Sequence, residues 1–240
     1  MFRQMESVGP PQEDERAVNI SAAANRIAEA KAAFVLQLRA RGIRDLALLR
    51  AMEKVPREIF VPHRYADLAA RELSIPIGCG QTLSEPWLVA RMIEHLALAP
   101  HHRVLEIGTG SGYATAVLAA IVETVTSVER FHSLAIAARL RLESIGVANA
   151  KIVLGDGLAM APDAGPFDRI LAHGSIEELP PSLSGLLAAN GKMVLGKPDP
   201  AAKHRQVLVE ITRNNDGSLT EQPRGTCRLQ PLMPGLARIM

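Results

Sequence analysis

VLEIGTGSGY (104–113) is a short apolar run that breaks into three glycines at alternate positions, Gly108, Gly110 and Gly112. An apolar run of that length reads as a buried strand, and helical character follows it, so the glycines form a strand-to-helix turn. Such a turn brings the backbone close to a ligand and aims the free N–H groups of the helix start at it. The spacing also excludes alternatives. Position 113 is Tyr, so the G-x-G-x-x-G pattern of dinucleotide-binding turns fails, and no Lys-Ser/Thr pair follows to make a P-loop.

Outward from this turn the same kind of apolar run recurs. RVLEIG (103–108), TVTSVER (124–130), AKIVLGD (150–156), FDRILAH (167–173) and GKMVLG (191–196) read as strands buried on both faces. Helices are predicted between them over 111–122, 131–145 and 182–189. RQVLVEITRN (205–214) and GTCRLQPL (225–232) read as a terminal hairpin or edge pair around the turn signal NDG at 215–217. The alternation predicts an α/β fold: a doubly wound, mostly parallel, seven-stranded sheet with helices on both sides.

Three acids stand at the carboxyl ends of the first three strands. Glu106, two residues before the first glycine, suits a ligand carrying an ammonium group. Glu129 follows Gly108 by 21 residues, where an acid hydrogen-bonds ribose hydroxyls. Asp156, in LGDG, can accept from the exocyclic amine of a purine. Each alone reads equally as a helix cap or a solvated strand end. Together, an amino acid, a ribose and an adenine describe S-adenosyl-L-methionine, with Ile107, Thr109, Ser111, Arg130, Gly155 and Gly157 completing the cofactor site. No Cys/His cluster has metal spacing, so no metal site is expected.

Ahead of the sheet, apolar spacing predicts a helix over 22–41, closed by Gly42, and another over 45–54, stopped by Pro56. PWLVARMIEHLALA (86–99) reads as a third, with Pro86 in its first turn. Residues 1–20 read as a disordered polar tail, 21–99 as a helical region with an irregular loop, and 100–240 as the cofactor-binding core, all in one compact unit. Lys+Arg 27 against Asp+Glu 25 gives a charge of +2, too small a field to attract nucleic acid or a membrane. No apolar run reaches membrane-spanning length, and the start lacks the apolar stretch of a secretory signal. Two cysteines, Cys79 and Cys227, form no disulfide framework and fit a reducing compartment, so a cytoplasmic location is expected. The chain is also expected to be a monomer.

IPIGCGQTLSEPWLVARM (75–92), VLEIGTGSGY, VTSVER, GDG and a closing LQPL (229–232) together resemble the protein-L-isoaspartate (D-aspartate) O-methyltransferase family, over about residues 39–231. The G-x-G-Q-T-[IL]-S-x-P block is far more specific than the glycine turn, which class I methyltransferases share. The resemblance implies a class I methyltransferase (Rossmann-like) sheet with an N-terminal helical extension. It implies methyl transfer from S-adenosyl-L-methionine, giving S-adenosyl-L-homocysteine, to isoaspartyl and D-aspartyl residues of damaged proteins, whose ester then closes to a succinimide. Ser84 matches the family's active-site serine, which orients the acceptor carboxylate, and Gly80, Gln81, Thr82 and Leu83 make the surrounding wall. Ser84 also reads as a helix N-cap ahead of Pro86. His173 replaces the family's usual small residue, and 196–206 departs from its usual loop. Both point to the acceptor side, leaving open another carboxylate acceptor, as an aspartate in a specific peptide or a small acid, or a non-catalytic cofactor-binding relative.

Overall fold

The computed structural model describes residues 12–202 and 204–237. Helix α1 (Gln12–Ala40) is followed by α2 (Leu46–Lys54), two 3-10 turns, and a tight ladder of β1 (Ile75–Pro76) with β2 (Thr82–Leu83). Next come α3 (Pro86–Glu94), β3 (Arg103–Ile107), α4 (Tyr113–Ala119), β4 (Thr124–Glu129), α5 (His132–Ser144) and β5 (Ala150–Leu154). The chain continues through β6 (Phe167–Ser175), α6 (Pro181–Gly185), β7 (Leu187–Pro198), β8 (Gln206–Arg213) and β9 (Leu219–Cys227). The 7-stranded sheet has the order β5-β4-β3-β6-β7-β8-β9, parallel through β7 and antiparallel for the last two strands.

Strand alternation divides the core. Val104, Val125, Ile152, Leu171 and Val194 face one side, where α1 to α5 contribute Leu38, Met52, Leu88, Leu118 and Leu142. Leu105, Val128, Ile170, Met193 and Val209 face the other, which is covered thinly by α6 and its flanking coil through Leu183, Leu186 and Ile176. Both faces are therefore apolar, as buried parallel strands require. The order places a switch point between β3 and β6: connections from β3 run outward to β4 and β5, and later ones run the opposite way. A crevice outside the carboxyl ends at such a point is where open α/β sheets hold ligands.

Several element limits differ from those read in the sequence. The stretch 182–189 is helical only through Gly185, because Leu187 pairs with Phe167 and begins a 12-residue strand. Leu186 and Leu187 carry a helical period, yet burial against β6 overrides it. The last strand is 219–227, not 225–232: an edge strand with one exposed flank can be polar and hold Pro223. Residues 228–232 instead cross the carboxyl ends of the sheet.

Helix α1 begins at Gln12, so residues 12–20 are helical where a disordered tail was expected, while residues 1–11 of that tail lie outside the described residues. Its docking depends on Phe34 and Leu38, whereas residues 25–33 are exposed throughout. A chain starting at Ser21 is therefore expected to keep its melting temperature and its cofactor affinity. A fall in melting temperature on that truncation would show that the removed segment packs against the body.

Candidate active site

The glycine turn is built as its spacing demands. Gly108, Gly110 and Gly112 all have positive φ (89°, 55° and 93°). A side chain at Gly112 would also press on Ala138, with Cβ atoms 3.2 Å apart, so this glycine serves the contact between α4 and α5. Gly108 and Gly110 instead line a cavity of about 890 Å³ over the carboxyl ends of β3, β4, β5 and β6. Thr109 is pinned below by its hydroxyl against Ser127, 2.6 Å away.

Most residues singled out in the sequence meet in this cavity. Ile107, Thr109, Ser111, Glu129, Arg130, Gly155, Asp156 and Gly157 line it beside the two glycines. Glu129 is 4% exposed and accepts from the Gly110 N–H (2.8 Å) and the Phe131 N–H (3.0 Å), so it ties the glycine turn to the end of β4. Asp156 accepts from the Leu158 N–H (2.9 Å) and from the Gly235 N–H (2.6 Å). Arg130 binds the same C-terminal segment, its Nε donating to the Gly235 carbonyl at 2.9 Å. A carboxylate has about four acceptor positions, so both acids retain capacity for ligand hydroxyl or amine groups. Ser111 Oγ is buried without a partner among the described residues, an orphaned hydroxyl that a polar ligand would satisfy. These groups fit S-adenosyl-L-methionine.

Glu106 and Gly112 are not brought to the cavity wall. Glu106 is fully buried: Thr115 Oγ1 donates to one carboxylate oxygen at 2.5 Å, and His173 Nε2 lies 2.9 Å from the other. The imidazole stands between this acid and the cavity, and it is His173 that lines the wall. The other departure noted in the sequence does not reach the site. The loop after β7 closes on itself through the Asp199–Arg205 pair (2.6 Å), and none of the described residues of 196–206 lines the cavity.

Facing the glycine turn is the irregular stretch of sequence after residue 74. The β1–β2 ladder pairs Ile75 with Leu83, and it presents Gln81, Thr82, Leu83 and Ser84 to the cavity. Gly80 does not line it and instead accepts through its carbonyl from Gln230 Nε2 (3.3 Å). Ser84 is not a helix cap: the N-cap of α3 is Glu85, and no side-chain cap bond forms there. The Ser84 hydroxyl bonds no described residue, and its carbonyl accepts from Arg57 Nη2 at 2.7 Å.

Arg57 had no mark in the sequence. It is 4% exposed, donates through Nε to the Ala69 carbonyl (2.7 Å), and lies over the Tyr113 ring, 4.6 Å from its centroid. Burial holds its pKa below the usual guanidinium value, with Tyr113 partly offsetting. Burial likewise pushes the Tyr113 phenol up to about 12, so this ring is neutral. A second unmarked wall is the C-terminal segment 228–233, held by the Ser175 N–H donating to the Gln230 carbonyl and the Leu232 N–H donating to the Ser175 carbonyl, both 2.9 Å.

Residues 29–236 match the family model for protein-L-isoaspartate(D-aspartate) O-methyltransferase. The chain belongs to this family. Among relatives, it is 49% identical to protein-L-isoaspartate O-methyltransferase 2 of Rhodopseudomonas palustris (strain HaA2), over 87% of this chain and 94% of that one. It is 47% identical to the protein-L-isoaspartate O-methyltransferase of Bradyrhizobium sp. (strain ORS 278), over 87% of this chain and 95% of that one. Among solved structures, it superposes with a TM-score of 0.74 on a Plasmodium falciparum chain described as a protein-L-isoaspartate O-methyltransferase in complex with S-adenosyl-L-homocysteine. That match has 25% identity and covers 84% of this chain and 97% of the other. Within this methyltransferase, the described residues include no His/Cys/Asp/Glu group able to hold a metal and no helix long and apolar enough to cross a membrane.

Proposed function

We propose that this chain transfers a methyl group from S-adenosyl-L-methionine to the free carboxylate of L-isoaspartyl, and D-aspartyl, residues in damaged proteins. The ester so formed closes to a succinimide and reopens in part to aspartate. The observation that carries this reading is a single cavity lined on one side by the glycine turn with Glu129 and Asp156, and on the other by Ser84 and its ladder. When bound, the cofactor supplies a methyl group activated by a sulfonium. A carboxylate acceptor is ionised near neutral pH, so the chain has no strong general base to provide. Its task is alignment and exclusion of water.

The residues perform that task from rigid supports. Glu129 fixes the glycine turn and keeps acceptor capacity for ribose hydroxyls. Asp156, held by the Leu158 and Gly235 N–H groups, keeps acceptor capacity for a purine amine. Ser84 offers an uncommitted hydroxyl from a loop whose backbone is clamped by Arg57, so a carboxylate can be oriented without ordering the loop at that moment. Methyl transfer to a matched pair of peptides, isoaspartyl and aspartyl, tests the reading: labelled methyl enters the first only. Labelling of the aspartyl peptide alone would establish a different carboxylate as the acceptor.

Ser84→Ala is expected to lower turnover about tenfold or more, as a hydrogen bond to a charged group contributes roughly 1.5–3 kcal/mol. Cofactor affinity and melting temperature stay close to those of the unaltered protein, because this side chain caps no helix. Full turnover on isoaspartyl peptide by this variant would remove Ser84 from the mechanism.

A further inference from the structure

We propose that His173, with Glu106 behind it, is the subsite for the α-ammonium of the cofactor's amino-acid end. The inference rests on the cofactor reading above and assigns a residue within it. The sheet order supplies the placement. Asp156 follows β5, Glu129 ends β4 and the glycine turn follows β3, so purine, ribose and amino acid run in that direction across neighbouring strands. Strands lie about 4.8 Å apart, and the next one in line is β6. Ile107 pairs with Ala172, which sets His173 beside Gly108; a Cβ on that glycine would lie 3.5 Å from the His173 Cβ. The amino-acid end of a ligand laid along this row therefore meets the imidazole.

Its chemistry suits an ammonium rather than a second carboxylate. The buried Glu106 carboxylate accepts from Thr115, and since a carboxylate only accepts, the His173 Nε2 that faces it at 2.9 Å carries the N–H. In the neutral ring Nδ1 carries the lone pair; it makes no hydrogen bond among the described residues and is not one of the enclosed unpartnered atoms. A lone pair on a cavity wall accepts an N–H. Behind it, the Glu106 charge supports a cation without having to reach it, in the manner of a carboxylate backing a ligating histidine. Thr115, Glu106 and His173 thus form one chain from the interior of α4 to the cavity.

The test is calorimetric titration of the full chain with S-adenosyl-L-homocysteine and with its desamino analogue, in which hydrogen replaces the ammonium. The same titrations are run on His173→Ala and on the double variant Glu106→Gln/His173→Leu, which leaves no buried charge and keeps the volume filled. In the unaltered chain, loss of the ammonium is expected to weaken binding about 10–100-fold, the range for a hydrogen bond to a charged group. In both variants that penalty shrinks to about twofold. An equal penalty in all three proteins overturns the proposal. So does unchanged cofactor affinity in the variants together with a raised KM for isoaspartyl peptide, which would place His173 on the acceptor. If the unaltered chain does not bind S-adenosyl-L-homocysteine, the cofactor reading falls and this inference with it; binding without coupling overturns this inference alone.

Discussion

Glu129→Ala is expected to lower the affinity for S-adenosyl-L-homocysteine by about 100-fold in a calorimetric titration. Two losses combine. In the proposed placement the carboxylate offers charge-assisted acceptors to ribose hydroxyls, and leaving such groups unpaired in the cavity costs roughly 1–3 kcal/mol. It also holds the Gly110 N–H at 2.8 Å and the Phe131 N–H at 3.0 Å, so its removal frees the turn against which the ligand must lie. A combined loss of about 2.7 kcal/mol is a hundredfold change in the dissociation constant. Glu129→Gln separates the parts. Its amide oxygen can still accept from one backbone N–H, but its NH2 faces the other donor, so an intermediate loss of about tenfold is expected. Affinity within threefold of the unaltered protein for Glu129→Ala would refute the ribose placement, and NAD binding at comparable strength would refute the cofactor class.

How much of this site could be read from the sequence depended on whether a residue's role was set by its own strand. Glu129 ends β4 and Asp156 lies two residues past the end of β5, and a buried parallel strand delivers the residues at its end to the carboxyl edge whatever else the chain does. Glu106 has the same local signature, yet its carboxylate is turned inward to Thr115 and His173. That outcome depends on an imidazole 67 positions later, which the neighbouring strand brings alongside. Nothing in VLEIGTGSGY encodes it. Ser84 was ambiguous for a similar reason: a serine two residues before a proline fits a cap, and only the frame of α3, starting one residue later, frees its hydroxyl. The C-terminal wall was hidden because LQPL resembles an edge strand in composition, while the pairing positions on β8 were already filled by the polar run 219–227.

Arg57→Ala is expected to be the most destabilising single substitution near the site. A lone arginine after VP gives no signal in a chain with 27 basic residues, but here the guanidinium is 4% exposed and joins three parts of the protein. Nε and Nη2 donate to the carbonyls of Ala69 and Ser84, both at 2.7 Å, and the ring of Tyr113 lies beneath. Truncation leaves two carbonyls without charged donors and opens space against the ring. Hydrogen bonds to charged groups contribute about 1.5–3 kcal/mol each, so a loss of about 3–5 kcal/mol is expected. At 2–4 °C per kcal/mol for a chain of this size, the melting temperature falls by roughly 6–20 °C. The Ser84 bond adds a functional consequence, because it holds the proposed acceptor loop in register with a turn that ends at Tyr113. Arg57→Lys remains folded more readily, yet its single ammonium cannot reproduce the fork that reaches both carbonyls. In that variant the KM for isoaspartyl peptide rises several-fold, while affinity for S-adenosyl-L-homocysteine stays within about twofold. A lysine variant with an unchanged KM and a lowered melting temperature would show that Arg57 supports the fold alone.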